Sequence, residues 1–157
     1  LDLSPNLFTE LPIIQICNFS NLFLLDLSDN KITNMTNRFS QLSCLRFLKR
    51  LDLSFNNISS GLISSDFDDF FGYDLVYLNL NNNQIPLVET QVFFRNDNLP
   101  RFPNLTYLGL ANNRIKLLDL LWPLTMPMDG LKVDLYNNPI DTLVNMMYLD
   151  YSLDLFV

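Results

Sequence analysis

Side-chain amides and carboxylates carry most of the chemistry open to this chain, because histidine is absent from all 157 residues. Without imidazole there is no Ser–His–Asp or Cys–His nucleophile, and the usual zinc ligand sets are missing. The four glycines, Gly61, Gly72, Gly109 and Gly130, are scattered and form no phosphate cradle. Asp66, Asp68 and Asp69 are the densest carboxylates, but they abut Phe67 and Phe70, which suits packing in a loop as well as acid–base work. Read as a calcium loop, Asp66-x-Asp68 begins correctly; Phe70 and Tyr77 then stand where the fifth and twelfth ligands belong. The expectation is no catalytic residue, no metal, no cofactor and no enzyme activity.

Two kinds of covalent chemistry remain. Asn18-Phe19-Ser20, Asn34-Met35-Thr36, Asn57-Ile58-Ser59 and Asn104-Leu105-Thr106 are acceptor sequons for N-glycosylation. An Asn-rich chain produces some by accident, yet all four fall beside turns, where the side chain is free to face outward. Cys17 and Cys44 admit either a disulfide between adjacent coils or two small buried thiols, and the sequence leaves that choice open.

What must position these groups is a recurring frame, LxxLxLxxNxI. It reads Leu22, Leu25, Leu27, Asn30, Ile32, then Leu48, Leu51, Leu53, Asn56, Ile58. It returns as Leu75, Leu78, Leu80, Asn83, Ile85 and as Leu105, Leu108, Leu110, Asn113, Ile115, with partial copies around Asn6 and Asn138. Successive asparagines lie 24, 26, 27, 30 and 25 residues apart. Each LxxLxLxx segment alternates apolar and variable positions, as a strand with one buried face does. Returns of that length cannot be tight hairpins, so the strands must pair in parallel. Asn6, Asn30, Asn56, Asn83, Asn113 and Asn138 then form a structural ladder, each amide satisfying inward-facing backbone groups where the chain leaves the strand.

The pattern resembles the leucine-rich repeat over nearly the whole chain. That resemblance implies an α/β solenoid, a horseshoe arc of about six repeats. A parallel β-sheet lines its concave face, and irregular or short-helical arms form the convex side. Phe19, Phe39, Phe70, Phe71, Phe93, Phe94 and Phe102 fall where the arms must fill the interior. Pro12, Pro86, Pro100, Pro103, Pro123 and Pro127 argue against long helices there. The arms Ser59 to Asp74 and Ile85 to Leu105 outgrow the repeat. The last segment, around Leu153 and Leu155, leaves open whether it is a strand. Residues 1–157 read as one array without a visible polar cap at either end, hence a fragment of a longer protein.

Composition narrows the partners. Net charge is −7 with a pI near 4.3, which disfavours broad nucleic-acid or anionic-membrane binding. No apolar run approaches the ~18 residues of a membrane span, and Asp119 interrupts the greasiest stretch. On the concave face the Asp-then-Ser phrasing (Asp26 and Ser28, Asp52 and Ser54) is repeat consensus. The departures are informative: Arg50, Asp52, Phe55, Tyr77, Asn79 and Tyr107 are the candidate binding residues. Tyr77 and Tyr107 are expected to stack near Arg50, an aromatic–cationic patch of the kind interfaces favour.

Long irregular repeats, a phenylalanine-filled back, LDLSxNxI phrasing and sequons are similar to the ectodomains of Toll-like receptors, invertebrate relatives included. This implies an extracellular innate-immune-type receptor binding a protein or microbial-type ligand, and dimerising to signal. Alternatives are a non-signalling surface or secreted adhesion protein and a cytosolic scaffolding repeat.

Overall fold

A computed structural model of the chain describes residues 1–67, 72, 74–93, 100–119, 130–144 and 154–156. Strands β1 (Leu24–Asp26), β2 (Arg50–Asp52), β3 (Tyr77–Asn79) and β4 (Tyr107–Gly109) arise where the Leu frame requires them, and β5 (Leu117–Asp119), β6 (Lys132–Asp134), β7 (Thr142–Val144) and β8 (Asp154–Phe156) follow where the frame has ended or slipped. One parallel sheet runs β1-β2-β3-β4-β6-β8, and Asp2 adds a bridge to Asp26 on the outer side of β1. Its register is that of the repeat, with Leu25 beside Leu51, Leu51 beside Leu78, and Leu78 beside Leu108. The terminal segment is therefore a strand: Leu155 pairs with Val133 in the same register. A second pairing of β5 with β7 lies just beyond the turns and was not foreseen from the sequence.

Each turn out of the sheet needs one residue in the left-handed region. Asp29, Phe55, Asn82, Asn112 and Asn137 occupy it, with φ between 52° and 57°. Asp and Asn tolerate this conformation, whereas Phe at 54° is strained. The next residue is the ladder asparagine. Asn56 Nδ2 donates to the carbonyls of Leu27 (2.9 Å), Leu53 (3.2 Å) and Ser54 (3.2 Å), while its Oδ1 accepts the Ile32 N–H at 2.9 Å. Asn30, Asn83 and Asn113 repeat this pattern and are buried. The ends differ. Asn6 is exposed and donates within its own turn, to Leu3 O. Asn138 is half-buried. Among the described residues about four windings are complete, rather than the expected six or so.

The interior is largely apolar, from Leu11 and Ile16 to Val133 and Leu135, with Asp66 and Arg101 buried among the arms, where Asp66 accepts the Asn37 N–H and Arg101 donates to the carbonyls of Phe67 and Val92. The convex arms are short: α1 (Ile13–Ile16) and 3-10 turns at Ser40–Cys44, Ser64–Phe67 and Thr90–Phe93. Their rings interlock. Phe39 stacks on Phe67 at 4.2 Å, and Phe102 meets Phe67 and Phe93 edge-on at 6.1 and 6.3 Å. Phe19 departs from expectation and is 52% exposed, because it falls in the polar stretch between α1 and β1 rather than in the arm's inner row. Phe70, Phe71 and Phe94 lie outside the described residues, as do Asp68, Asp69 and much of the long return after Ile85. Cys17 and Cys44 are joined by a disulfide, their Cα atoms 5.5 Å apart. The similar spacing of the two cysteines ahead of their ladder residues, 13 and 12 positions, places them side by side on adjacent windings. Among the described residues, no helix is long and apolar enough to cross a membrane.

Candidate binding face

Parallel register sets Arg50 beside Tyr77 and Tyr77 beside Tyr107 at the first position of successive strands. The residue after each points into the core, so these side chains must stand on the concave surface. The two tyrosine rings stack at 4.7 Å with planes 15° apart. The Arg50 guanidinium carbon sits 3.6 Å from the centre of the Tyr77 ring, covering its other face. Asn81 Nδ2 donates to Tyr107 Oη at 3.0 Å and fixes the outer ring. Burial raises the Tyr77 hydroxyl above its ordinary pKa, with the Asp52 charge adding to it and Arg50 opposing. Burial likewise raises Tyr107, with the Asn81 hydrogen bond opposing. Both phenols therefore stay neutral donors well past physiological pH.

Asp52 and Asn79 are brought into this patch but lie beneath it, 8% and 9% exposed. Asp52 Oδ1 accepts the Ser54 N–H (3.0 Å) and hydroxyl (2.6 Å); Oδ2 accepts from Asn79 Nδ2 at 3.1 Å and lies 3.8 Å from Arg50. Asp26 with Ser28 and Asp2 with Ser4 make the same turn. The Ser4 backbone N–H and then its hydroxyl hold the Asp2 carboxyl below the usual range. The repeated Asp thus organises backbone, and Asp52 and Asn79 serve as the platform that orients Arg50.

In the fourth coil the aspartate is replaced by Gly109, and a neighbour supplies the missing acceptor. Asn81 Oδ1 takes the Ala111 N–H at 2.7 Å. A Cβ on Gly109 would come within 2.6 Å of Asn79 Oδ1 and 2.8 Å of Asn81 Oδ1, so only glycine admits both amides. Nothing in the repeat pattern announces this exchange, since it depends on side chains crossing between coils.

Phe55 stands apart from the tyrosine stack, three residues beyond the end of β2 and 59% exposed. Sequence reasoning missed a group on the opposite rim, where the chain enters the strands. There Phe23 and Phe47 lie 6.4 Å apart, Lys49 Nζ is 5.9 Å above the Phe23 ring, and Leu24 is exposed beside Arg50. The discriminating clue was available: no other coil places an aromatic ring at the position of Phe23 or of Phe47, where Lys49, Val76, Thr106 and Leu131, and Asn21, Asp74 and Asn104, stand instead. The sequon residues Asn18, Asn34, Asn57 and Asn104 are all exposed.

The family model described as Leucine Rich Repeat matches residues 47–70. Three solved structures extend the likeness to the whole array. A leucine-rich-repeat protein of Leptospira interrogans is 23% identical with a TM-score of 0.60, covering 90% of this chain and 38% of its own. The fold is a leucine-rich-repeat solenoid. An internalin from Listeria monocytogenes (22% identity, TM-score 0.56, 88% and 38% covered) shares it. So does a chain in the Toll–Spatzle complex of Drosophila, at 26% identity and TM-score 0.58, with 91% of this chain and 22% of that one covered. The chain thus spans well under half the length of each. No curated protein matches it by sequence.

Proposed function

We propose that this solenoid is the ligand-binding module of an extracellular, innate-immune-type signalling receptor. It takes a protein ligand on its concave face. Arg50, Tyr77, Tyr107 and Phe55 make contact, and Asp52 and Asn79 hold them in place. The Arg50–Tyr77–Tyr107 stack carries the reading. Its rings and guanidinium are half-exposed yet already immobilised, so binding loses little side-chain entropy. Aromatic and arginine side chains in that state are the residues that anchor protein interfaces.

Support for an extracellular setting comes from the Cys17–Cys44 disulfide, which reducing compartments disfavour, and from four exposed sequons. The Toll–Spatzle complex, by its name, offers a protein ligand on a related fold. A receptor dimer is the signalling unit this reading carries with it.

The test uses the full-length protein isolated from its native tissue. Peptide mapping is expected to find glycans on Asn18, Asn34, Asn57 or Asn104, and surface cross-linking to join strands β2–β4 to a secreted protein. Replacing Tyr77 and Tyr107 together by serine is expected to weaken that complex by about tenfold or more while the melting temperature stays within a few degrees. Unmodified asparagines with free thiols overturn the extracellular assignment. Adhesion without any signalling response to the bound partner overturns the receptor assignment.

A further inference from the structure

The rim where the chain enters the sheet carries an apolar and cationic strip that the repeat does not require. Phe23 is 56% and Phe47 47% exposed, and Leu24 adjoins them. In the following coils the place of Phe23 is taken by Lys49, Val76, Thr106 and the buried Leu131, and that of Phe47 by Asn21, Asp74 and Asn104 in coils that carry no ring there. Neither ring is therefore demanded by stacking. Scattered exposed apolar residues are ordinary, but two rings in contact beside a third apolar side chain make a patch.

Charge sharpens the picture. The chain carries −7 overall with only ten Lys and Arg, yet Arg46, Lys49 and Arg50 fall within five consecutive positions and all are exposed. Lys49 lies over Phe23 and Arg50 over Tyr77, so each cation borders an aromatic face. Of the bordering carboxylates, Asp52 pairs with Arg50 at 3.8 Å and is otherwise engaged with Ser54 and Asn79, and Asp74 is half-buried one coil further on. The strip is rigid. Phe23 O accepts the N–H groups of both Lys49 (2.9 Å) and Arg50 (3.0 Å), and the Cys17–Cys44 disulfide ties together the arms leading into β1 and β2.

We propose that this strip docks an acidic segment of a protein partner, one that carries an aromatic or aliphatic side chain between carboxylates. The apolar residue sits against Phe23, Leu24 and Phe47, and the flanking carboxylates pair with Arg46, Lys49 and Arg50. An acidic partner is the occupant that charge complementarity selects, since the net charge of this chain repels it while the three cations of the strip attract it. A bare polyanion uses the cations but gains nothing from the rings. The inference rests on the protein-binding reading of the concave face, which it extends onto the rim and to which it assigns a partner chemistry.

The probe is a short synthetic peptide alternating glutamate with leucine around one phenylalanine, titrated against the oxidised chain by fluorescence anisotropy. Binding is expected to weaken with added salt and to fall by about tenfold or more in Lys49→Glu and in Phe47→Ser, with unchanged melting temperatures. A peptide with lysine in place of glutamate is expected not to bind, and one with serine in place of leucine and phenylalanine to bind far more weakly. Equal affinity of wild type and Lys49→Glu overturns the proposal. So does binding of a heparin fragment or of phosphatidylserine vesicles as tight as that of the peptide and lost in the same variants, which marks a general polyanion surface. Cross-links from a native partner to Tyr77 and Tyr107, with no peptide bound, overturn the rim assignment and leave the concave reading standing. A bound peptide without concave cross-links does the reverse.

Discussion

At Phe55 the backbone holds φ of 54°, where the sister coils place Asp29, Asn82, Asn112 and Asn137. A bulky side chain there costs about 1 kcal/mol or more, and its ring is mostly exposed as well. Phe55→Asn is accordingly expected to raise stability by about 1 kcal/mol, seen as a melting temperature several degrees higher, while weakening the concave-face complex. The ladder gives a second contrast. Asn56→Ala strands buried carbonyls and an N–H, costing about 1–3 kcal/mol in chemical denaturation. Asn6→Ala, at an exposed site with one local bond, is expected to stay within about 0.5 kcal/mol. Tyr77 and Tyr107 supply a pH test. Their folded pKa values are raised above an unfolded value of about 10. The native state thus holds its protons longer, so this contribution is complete below pH ~10 and is lost as pH rises through the folded values. Ultraviolet titration is expected to show a phase above pH ~10 from these two phenols, and Tyr77→Phe with Tyr107→Phe to remove it.

Among the elements, the strands were legible and the arms were not. A strand face is written in period two, so Leu25, Leu51, Leu78 and Leu108 declare both its place and its register. The arms follow no period: Phe67 is buried and Phe19 exposed for reasons of local path, and the β5–β7 pairing depends on two returns running alongside one another. Cys17 and Cys44 stood between these cases, since similar spacing allowed a bridge without requiring one. Their bond closes a loop with a sequence separation of 27 residues. Chain entropy assigns such a loop about 3–4 kcal/mol of stability, so melting in a reducing agent is expected to occur well below the oxidised midpoint. Identical midpoints with and without reductant would show that the bridge adds nothing.

For the whole molecule, each winding touches only its neighbours, so stability is shared out along one axis. The Asn6 amide is exposed, whereas the amides of Asn56 and Asn83 are buried between coils. Native-state hydrogen exchange is expected to run fastest near Leu3 and Asn6 and slowest at the amides of Ile32, Ile58 and Leu80. Uniform protection across the array would contradict this gradient. The same stiffness fixes the spacing of exposed side chains across the concave face, which is what a preformed docking surface needs.

The solenoid, its parallel register, the amide ladder and the tyrosine stack beside Arg50 were all determined by sequence alone. Each follows from a local rule repeated at a fixed interval, and repetition converts spacing along the chain into adjacency across the sheet. Tertiary structure alone decided the rest: about four closed windings, the disulfide, the sinking of Asp52 and Asn79 beneath the face, the service of Asn81 to a neighbouring coil, and the Phe23–Phe47 rim. These depend on which side chains from different windings meet, and on whether a neighbour stands behind a given amide. Such contacts have no period for the sequence to display.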